Sequence, residues 1–100
     1  MHVIENAVAG KRYQSASTRR VPVFNPATGE QSADLPLSTI DELNAAVASA
    51  KKAQVEWGNL APMKRARVMF RFKALLDENA DELARIISRE HGKVHDDALG

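Results

Sequence analysis

Val21-Pro22-Val23-Phe24-Asn25-Pro26-Ala27-Thr28-Gly29-Glu30 is the stretch that decides how this chain folds. Val21, Val23 and Phe24 are β-branched or aromatic and favour a pleated strand. Asn25 can accept a hydrogen bond from its own backbone two residues on. Pro26 fixes φ where a turn needs it, and Gly29 can take the positive φ that closes a reversal. A second, weaker strand over Glu30 to Leu37 follows, ended by Pro36. The spacing therefore predicts a β-hairpin. Strand pattern precedes it and helical pattern follows it.

Toward the N-terminus, Met1 to Tyr13 reads as a short strand pair. Val3 and Ile4 are apolar, Asn6 to Gly10 are small, and Gly10-Lys11 is a turn signal. Gln14 to Arg20 is polar and leads into Val21. Arg19-Arg20 reads as a solvated edge that blocks further strand pairing.

Toward the C-terminus, Thr39-Ile40-Asp41-Glu42 forms a capping box that opens a helix over 38–58. Ile40, Leu43, Val47, Ala50 and Trp57 fall on one face of it, which Ala46 and Ala53 keep flat. Gly58 is the expected stop and Trp57 the expected core anchor. Pro62 opens the next helical stretch, over 62–92, which Asp77-Glu78-Asn79 divides in two. Val68, Met69, Phe70, Phe72, Leu75 and Leu76 make the apolar side of the first part. Lys64, Arg65, Arg67, Arg71 and Lys73 make its charged side. In the second part Asn79 is the expected N-cap, Leu83, Ile86 and Ile87 the inward face, and Gly92 the end. Asp81 and Arg85 can pair at i, i+4. Residues 94–100 look like the start of another helix, so the chain is expected to be part of a larger domain.

The composition of the 100 residues excludes several classes. With 44% hydrophobic and 27% charged residues the chain is too apolar for disorder, and no apolar run could span a membrane. Fourteen basic against 13 acidic residues argue against a nucleic-acid or membrane surface as partner. Without cysteine there is no disulfide, thiolate metal site or Cys nucleophile in these residues. The N-terminus has no signal-peptide or transit-peptide pattern, so a cytoplasmic location is expected. His91 and His95 are i, i+4, but Gly92 between them breaks a shared helical face. The glycines at 10, 29, 58, 92 and 100 are isolated and build no phosphate loop. No catalytic or cofactor-binding residue is identified in this stretch.

The ordered set of motifs resembles the aldehyde dehydrogenase family. Val8-Ala9-Gly10-Lys11 is similar to the family's Ile-Asn-Gly-Lys opening, and Asn25 to Glu30 to its Asn-Pro-Ala-Thr-Gly-Glu hairpin. Ala45-Ala46-Val47, Ala50 and Trp57 follow its Ala- and Trp-marked helix. Arg67, Leu75-Leu76, Leu83-Ala84 and Glu90-His91-Gly92-Lys93 fit the next landmarks at the usual spacing. The ending Glu90 to Gly100 is similar to the branch that oxidises malonate and methylmalonate semialdehydes and acylates coenzyme A. Ser32 departs from the family, which usually has an aliphatic residue there, and Gln54 replaces a more usual Ala or Lys.

The resemblance implies an α/β fold, with N-terminal hairpins (1–37) and then amphipathic helices packing on an NAD-binding domain. It implies a chain several times longer, in which hydride passes to NAD from a thiohemiacetal on a catalytic cysteine. Coenzyme A then releases the acetyl or propionyl group. It implies a small-molecule aldehyde substrate, a homo-oligomer (dimer or tetramer), and the rest of the same polypeptide as the main partner of these residues. The cysteine and the cofactor loops would lie beyond Gly100, so this segment would be non-catalytic. A monovalent cation is also implied, with Glu90 as the carboxylate and Val23 and Phe24 as the backbone carbonyls. The family residue is usually Asp, and Glu is one methylene longer. Two other readings are a non-acylating semialdehyde dehydrogenase of the same family and a stand-alone helical interaction module.

Overall fold

The computed structural model describes residues 1–100 as five strands followed by four helices. The chain divides into two compact units: Met1–Phe24 with Gln31–Asn59, and Asn25–Glu30 with Leu60–Gly100.

In the first unit, β1 (His2–Val3), β5 (Gln31–Pro36) and β4 (Arg20–Phe24) form a sheet in the order β1-β5-β4. β4 and β5 are the antiparallel arms of the expected hairpin, with Val21 opposite Leu35 and Val23 opposite Ala33. β4 is an edge, which is where Pro22 can sit without removing a ladder hydrogen bond. The edge role read from Arg19-Arg20 agrees with this. β5, weak by composition, is the central strand, and Ala33 is among its buried residues.

The first 13 residues differ from the expected single strand pair. Val3 belongs to β1, which runs parallel to β5, and Ile4 N donates to Asp34 O at 2.9 Å. The pair is instead β2 (Asn6–Val8) with β3 (Lys11–Tyr13). Its two-residue turn is Ala9-Gly10, at φ 54° and 75°, one residue earlier than Gly10-Lys11. A type I′ two-residue hairpin turn needs left-handed backbone at both central positions, and Ala9 adopts it despite its Cβ.

α1 (Ile40–Asn59) opens as predicted: Glu42 N donates to Thr39 Oγ at 3.2 Å and Thr39 N to Glu42 Oε2 at 2.9 Å. It does not stop at Gly58, which stays helical, so the stop comes one residue later. Trp57 is 38% exposed and anchors no core within this segment, and no residue of α1 is buried. The alanine face does what flatness allows. With Ala7, Val8 and Ala9 of the β2–β3 hairpin, Ala46, Ser49, Ala50 and Ala53 line an open groove of about 240 Å³.

The second unit contains α2 (Pro62–Glu78), α3 (Ala80–His91) and α4 (His95–Leu99). Pro62 occupies the first turn of α2, where a missing N–H costs nothing. Asn79 lies between α2 and α3, but its side chain does not cap α3. Its Nδ2 donates back to Leu75 O at 2.8 Å and closes the end of α2 instead. In α3 the expected inward Leu83 and Ile87 are exposed, while Ala84 is 1% exposed and Ala98 of α4 is buried. Small residues let α3 and α4 approach, and Leu83, Ile87 and Leu99 line an open groove with Ala84 and Ala98. Asp81 and Arg85 pair as expected. No helix is long and apolar enough to cross a membrane.

Candidate functional site

The six-residue reversal Asn25–Glu30 is built by its own side chains. Asn25 Oδ1 accepts from Ala27 N at 2.9 Å, and Thr28 Oγ accepts from Glu30 N at 3.2 Å. The backbone closes twice, Gly29 N to Asn25 O at 2.8 Å and Asn25 N to Glu30 O at 2.9 Å. Gly29 holds φ at +75°. Each feature expected of Asn25 and Gly29 is present, because the bonds are local and need nothing from the rest of the chain.

The reversal has a neighbour within its own unit. Gly92 ends α3 in left-handed backbone, φ +84°, with its N–H donating to Ser88 O at 2.9 Å. A Cβ built on Gly92 would lie 3.1 Å from Pro26 Cγ. The Asn-Pro-Ala-Thr-Gly-Glu turn and the Glu-His-Gly-Lys helix end, separated by some sixty residues in sequence, are therefore in contact. Sequence reading missed this, since nothing in either motif names the other.

The candidate cation ligands are distributed as follows. Val23 and Phe24 end β4, in the first unit, and Glu90 lies in the last turn of α3, in the second. At Val23 and Phe24 the β4–β5 ladder is irregular. Val23 pairs with Ala33 and Phe24 with Gln31, which leaves Ser32 as the extra residue of a bulge. Ser32 Oγ donates to Val23 O at 3.2 Å. Glu90 is exposed and in no ion pair. A carbonyl oxygen has two lone pairs, so Val23 retains one. The signal for Ser32 was its departure from an aliphatic residue.

His91 and His95 are not on one helix. Gly92 ends α3 between them, and His95 begins α4. His95 Nε2 lies 2.9 Å from Asp81 Oδ1, and Asp81 also pairs with Arg85. His95 thus ties the start of α4 to the first turn of α3.

The most heavily bonded carboxylate is Glu42. Besides Thr39 N, it accepts from Ser15 Oγ at 2.6 Å and from Ala16 N at 2.9 Å. The Ser15 hydroxyl first, then the Thr39 and Ala16 amides, hold its pKa below the ordinary carboxylate value. Ser15 is buried, and its Oγ also accepts from Ser17 N at 3.1 Å. The capping box was legible in sequence. Its extension to Ser15, 27 residues from Glu42, was not.

The sequence pattern of the aldehyde dehydrogenase family matches residues 13–100. Malonate-semialdehyde dehydrogenase 3 of Geobacillus kaustophilus (strain HTA426) is 47% identical over 97 residues, 97% of this chain and 20% of that protein. A protein of Sinorhizobium meliloti 1021, assigned as a methylmalonate-semialdehyde dehydrogenase and solved with NAD, superposes with a TM-score of 0.95 at 46% identity. That match covers all of this chain and 20% of the solved one. An NAD-dependent benzaldehyde dehydrogenase of Corynebacterium glutamicum superposes with a TM-score of 0.88 at 26% identity, over 95% of this chain and 21% of its own. The chain spans about a fifth of the length of the relatives it matches.

Proposed function

The chain belongs to the aldehyde dehydrogenase family, and we propose that it is the N-terminal part of an NAD-dependent, coenzyme A-acylating malonate- or methylmalonate-semialdehyde dehydrogenase. The observation that carries this reading is the split in identity at nearly constant backbone. The fold is shared with the benzaldehyde enzyme at 26% identity, whereas the matched semialdehyde dehydrogenases stand at 46–47%. Side chains on this segment follow the branch, while its backbone follows the family.

NAD would accept hydride in that chemistry, and its binding loop would be supplied by the rest of the polypeptide. Gly10, Gly29 and Gly92 serve two turns and a helix end. The segment's part is to pack: its helices present open apolar faces that the rest of the same polypeptide would cover. The same reading includes a cytoplasmic homo-oligomer, dimer or tetramer, acting on a small aldehyde. It also includes a monovalent cation held by the Glu90 carboxylate and the Val23 and Phe24 carbonyls.

The test is an assay of the full-length protein. Malonate semialdehyde, NAD and coenzyme A should give NADH and acetyl-CoA, and methylmalonate semialdehyde should give propionyl-CoA. Free acid formed at the same rate without coenzyme A would assign the protein to a non-acylating branch. An intact source protein of 11.0 kDa would favour a stand-alone helical module instead.

A further inference from the structure

We infer that the guanidinium of Arg65 pairs with a carboxylate that the rest of the same polypeptide brings against α2. The inference rests on the reading of this segment as part of a longer chain, and not on its substrate or on coenzyme A. Its ground is the place of Arg65 on its helix. Val68, Met69, Phe72 and Leu76 follow it by three, four, seven and eleven residues, so Arg65 opens the apolar stripe of α2. Lys64, Arg67 and Arg71 share a different face, by steps of three and four, which corrects the grouping of all five cations on one charged side. Burial agrees: Arg65 is partly buried, whereas Lys64, Arg67, Arg71 and Lys73 are exposed.

Arg65 is in no ion pair. One turn away on either side stand Ala61, Pro62, Val68 and Met69, none of them acidic. The acids of α2, Asp77 and Glu78, lie about 18 Å further along the axis, and Asp77 already meets Lys73. The stripe itself is open, with Met69 54% exposed and Phe72 51%. It ends at Leu76, which lines the groove of about 260 Å³ with Leu83, Ile87 and Leu99. One covering surface can therefore run from Arg65 to that groove, and this chain is only 20% of the length of the relatives it matches. A cover over Met69 and Phe72 takes water from Arg65 as well. Arginine cannot lose its proton to escape that cost, and an unpaired buried charge is strongly destabilising. Backbone carbonyls supply only partial charge. A carboxylate supplies a whole one, in the two-oxygen geometry that fits the guanidinium fork. The covering surface thus brings an Asp or Glu to Arg65.

The experiment uses the full-length protein. Melting temperature is compared for the natural protein, Arg65→Met, which keeps an apolar stem, and Arg65→Lys, which keeps the charge but not the fork. At about pH 7.5 Arg65→Met should melt several degrees lower, with Arg65→Lys between the two. The stranded carboxylate takes up a proton more readily than a solvated one, so the Arg65→Met deficit should shrink at about pH 5.5. No deficit at either pH overturns the inference, since the guanidinium would then lie in water. A deficit of equal size at both also overturns it, since the partner would be carbonyl oxygen or packing alone. Should Arg65→Met fail to fold, a crystal structure of the natural full-length protein decides. An Asp or Glu oxygen from outside this segment within about 4 Å of the guanidinium supports the inference, and none within that distance overturns it. An intact source protein of 11.0 kDa would remove the longer chain, and this inference with it.

Discussion

Gly29 and Gly92 both hold left-handed backbone, at φ +75° and +84°, yet their surroundings differ. A Cβ on Gly29 would meet nothing within 4 Å, while one on Gly92 would meet Pro26 Cγ at 3.1 Å. Gly29→Ala should therefore cost only the left-handed strain, about 1 kcal/mol. Gly92→Ala should cost about 2 kcal/mol, since the Pro26 ring must also shift. Urea midpoints of the two variants in the full-length protein check this, and equal losses would mean that the Pro26 contact is not felt. Ser88 raises the opposite case. Its Oγ is buried with no hydrogen-bond partner. An unpaired buried hydroxyl is a desolvation cost, so Ser88→Ala should be neutral or stabilising by up to about 1 kcal/mol. A clear loss on that substitution would reveal a partner supplied by the longer chain.

Among the elements, α1 depends most on its first turn. None of its residues is buried within this segment, so the Glu42 carboxylate carries the attachment to Ser15 and Ala16. Because the folded-state pKa of Glu42 is lowered, its contribution is present above the ordinary carboxylate pKa and is lost as pH falls through the lowered value. Hydrogen-exchange protection at the Ala16 and Thr39 amides, each rate taken relative to the intrinsic rate at that pH, should fall across that acidic window in the natural protein. Glu42→Gln should leave both amides less protected at neutral pH, with protection flat across the same window. If the natural protein is flat there, Glu42 does not hold the loop. The other charged pairs are weaker supports. Lys73–Asp77 spans 2.7 Å on an exposed face of α2, where such pairs contribute about 0.3–0.5 kcal/mol.

At the scale of the whole molecule, the apolar side chains are the decisive feature. Phe70 is 69% exposed and Ile40 75%, and Met63, Met69, Phe72 and Leu75 are likewise open. The buried apolar residues are Ala33, Pro36, Ala84 and Ala98, all small. Three alanines and a proline remove too little surface from water to offset the chain entropy of 100 residues. The 100-residue segment cut out alone should bind ANS, self-associate at micromolar concentration and melt without a sharp transition. A monomer with dispersed amide signals and a two-state melt would refute this and support the stand-alone reading.

The elements written in local chemistry were determined by the sequence itself. The Asn25–Glu30 reversal, the Thr39/Glu42 box, Pro62 at a helix start and Gly92 at a helix end each depend on residues a few positions apart. Tertiary structure decided the rest. Val3 left its expected partner because a parallel neighbour, β5, was available at a distance in sequence. Gly58 stayed helical and the helix ended one residue later, at Asn59. Asn79 turned back to α2, where its side-chain amide joins its own backbone N–H on the Leu75 carbonyl. Ser32 met Val23 only because the bulge placed them across the ladder from each other. The family was legible because its motifs recur in order along the chain. The contact between Pro26 and Gly92 was not, since a sequence records what each motif is and the packed chain alone records what each motif touches.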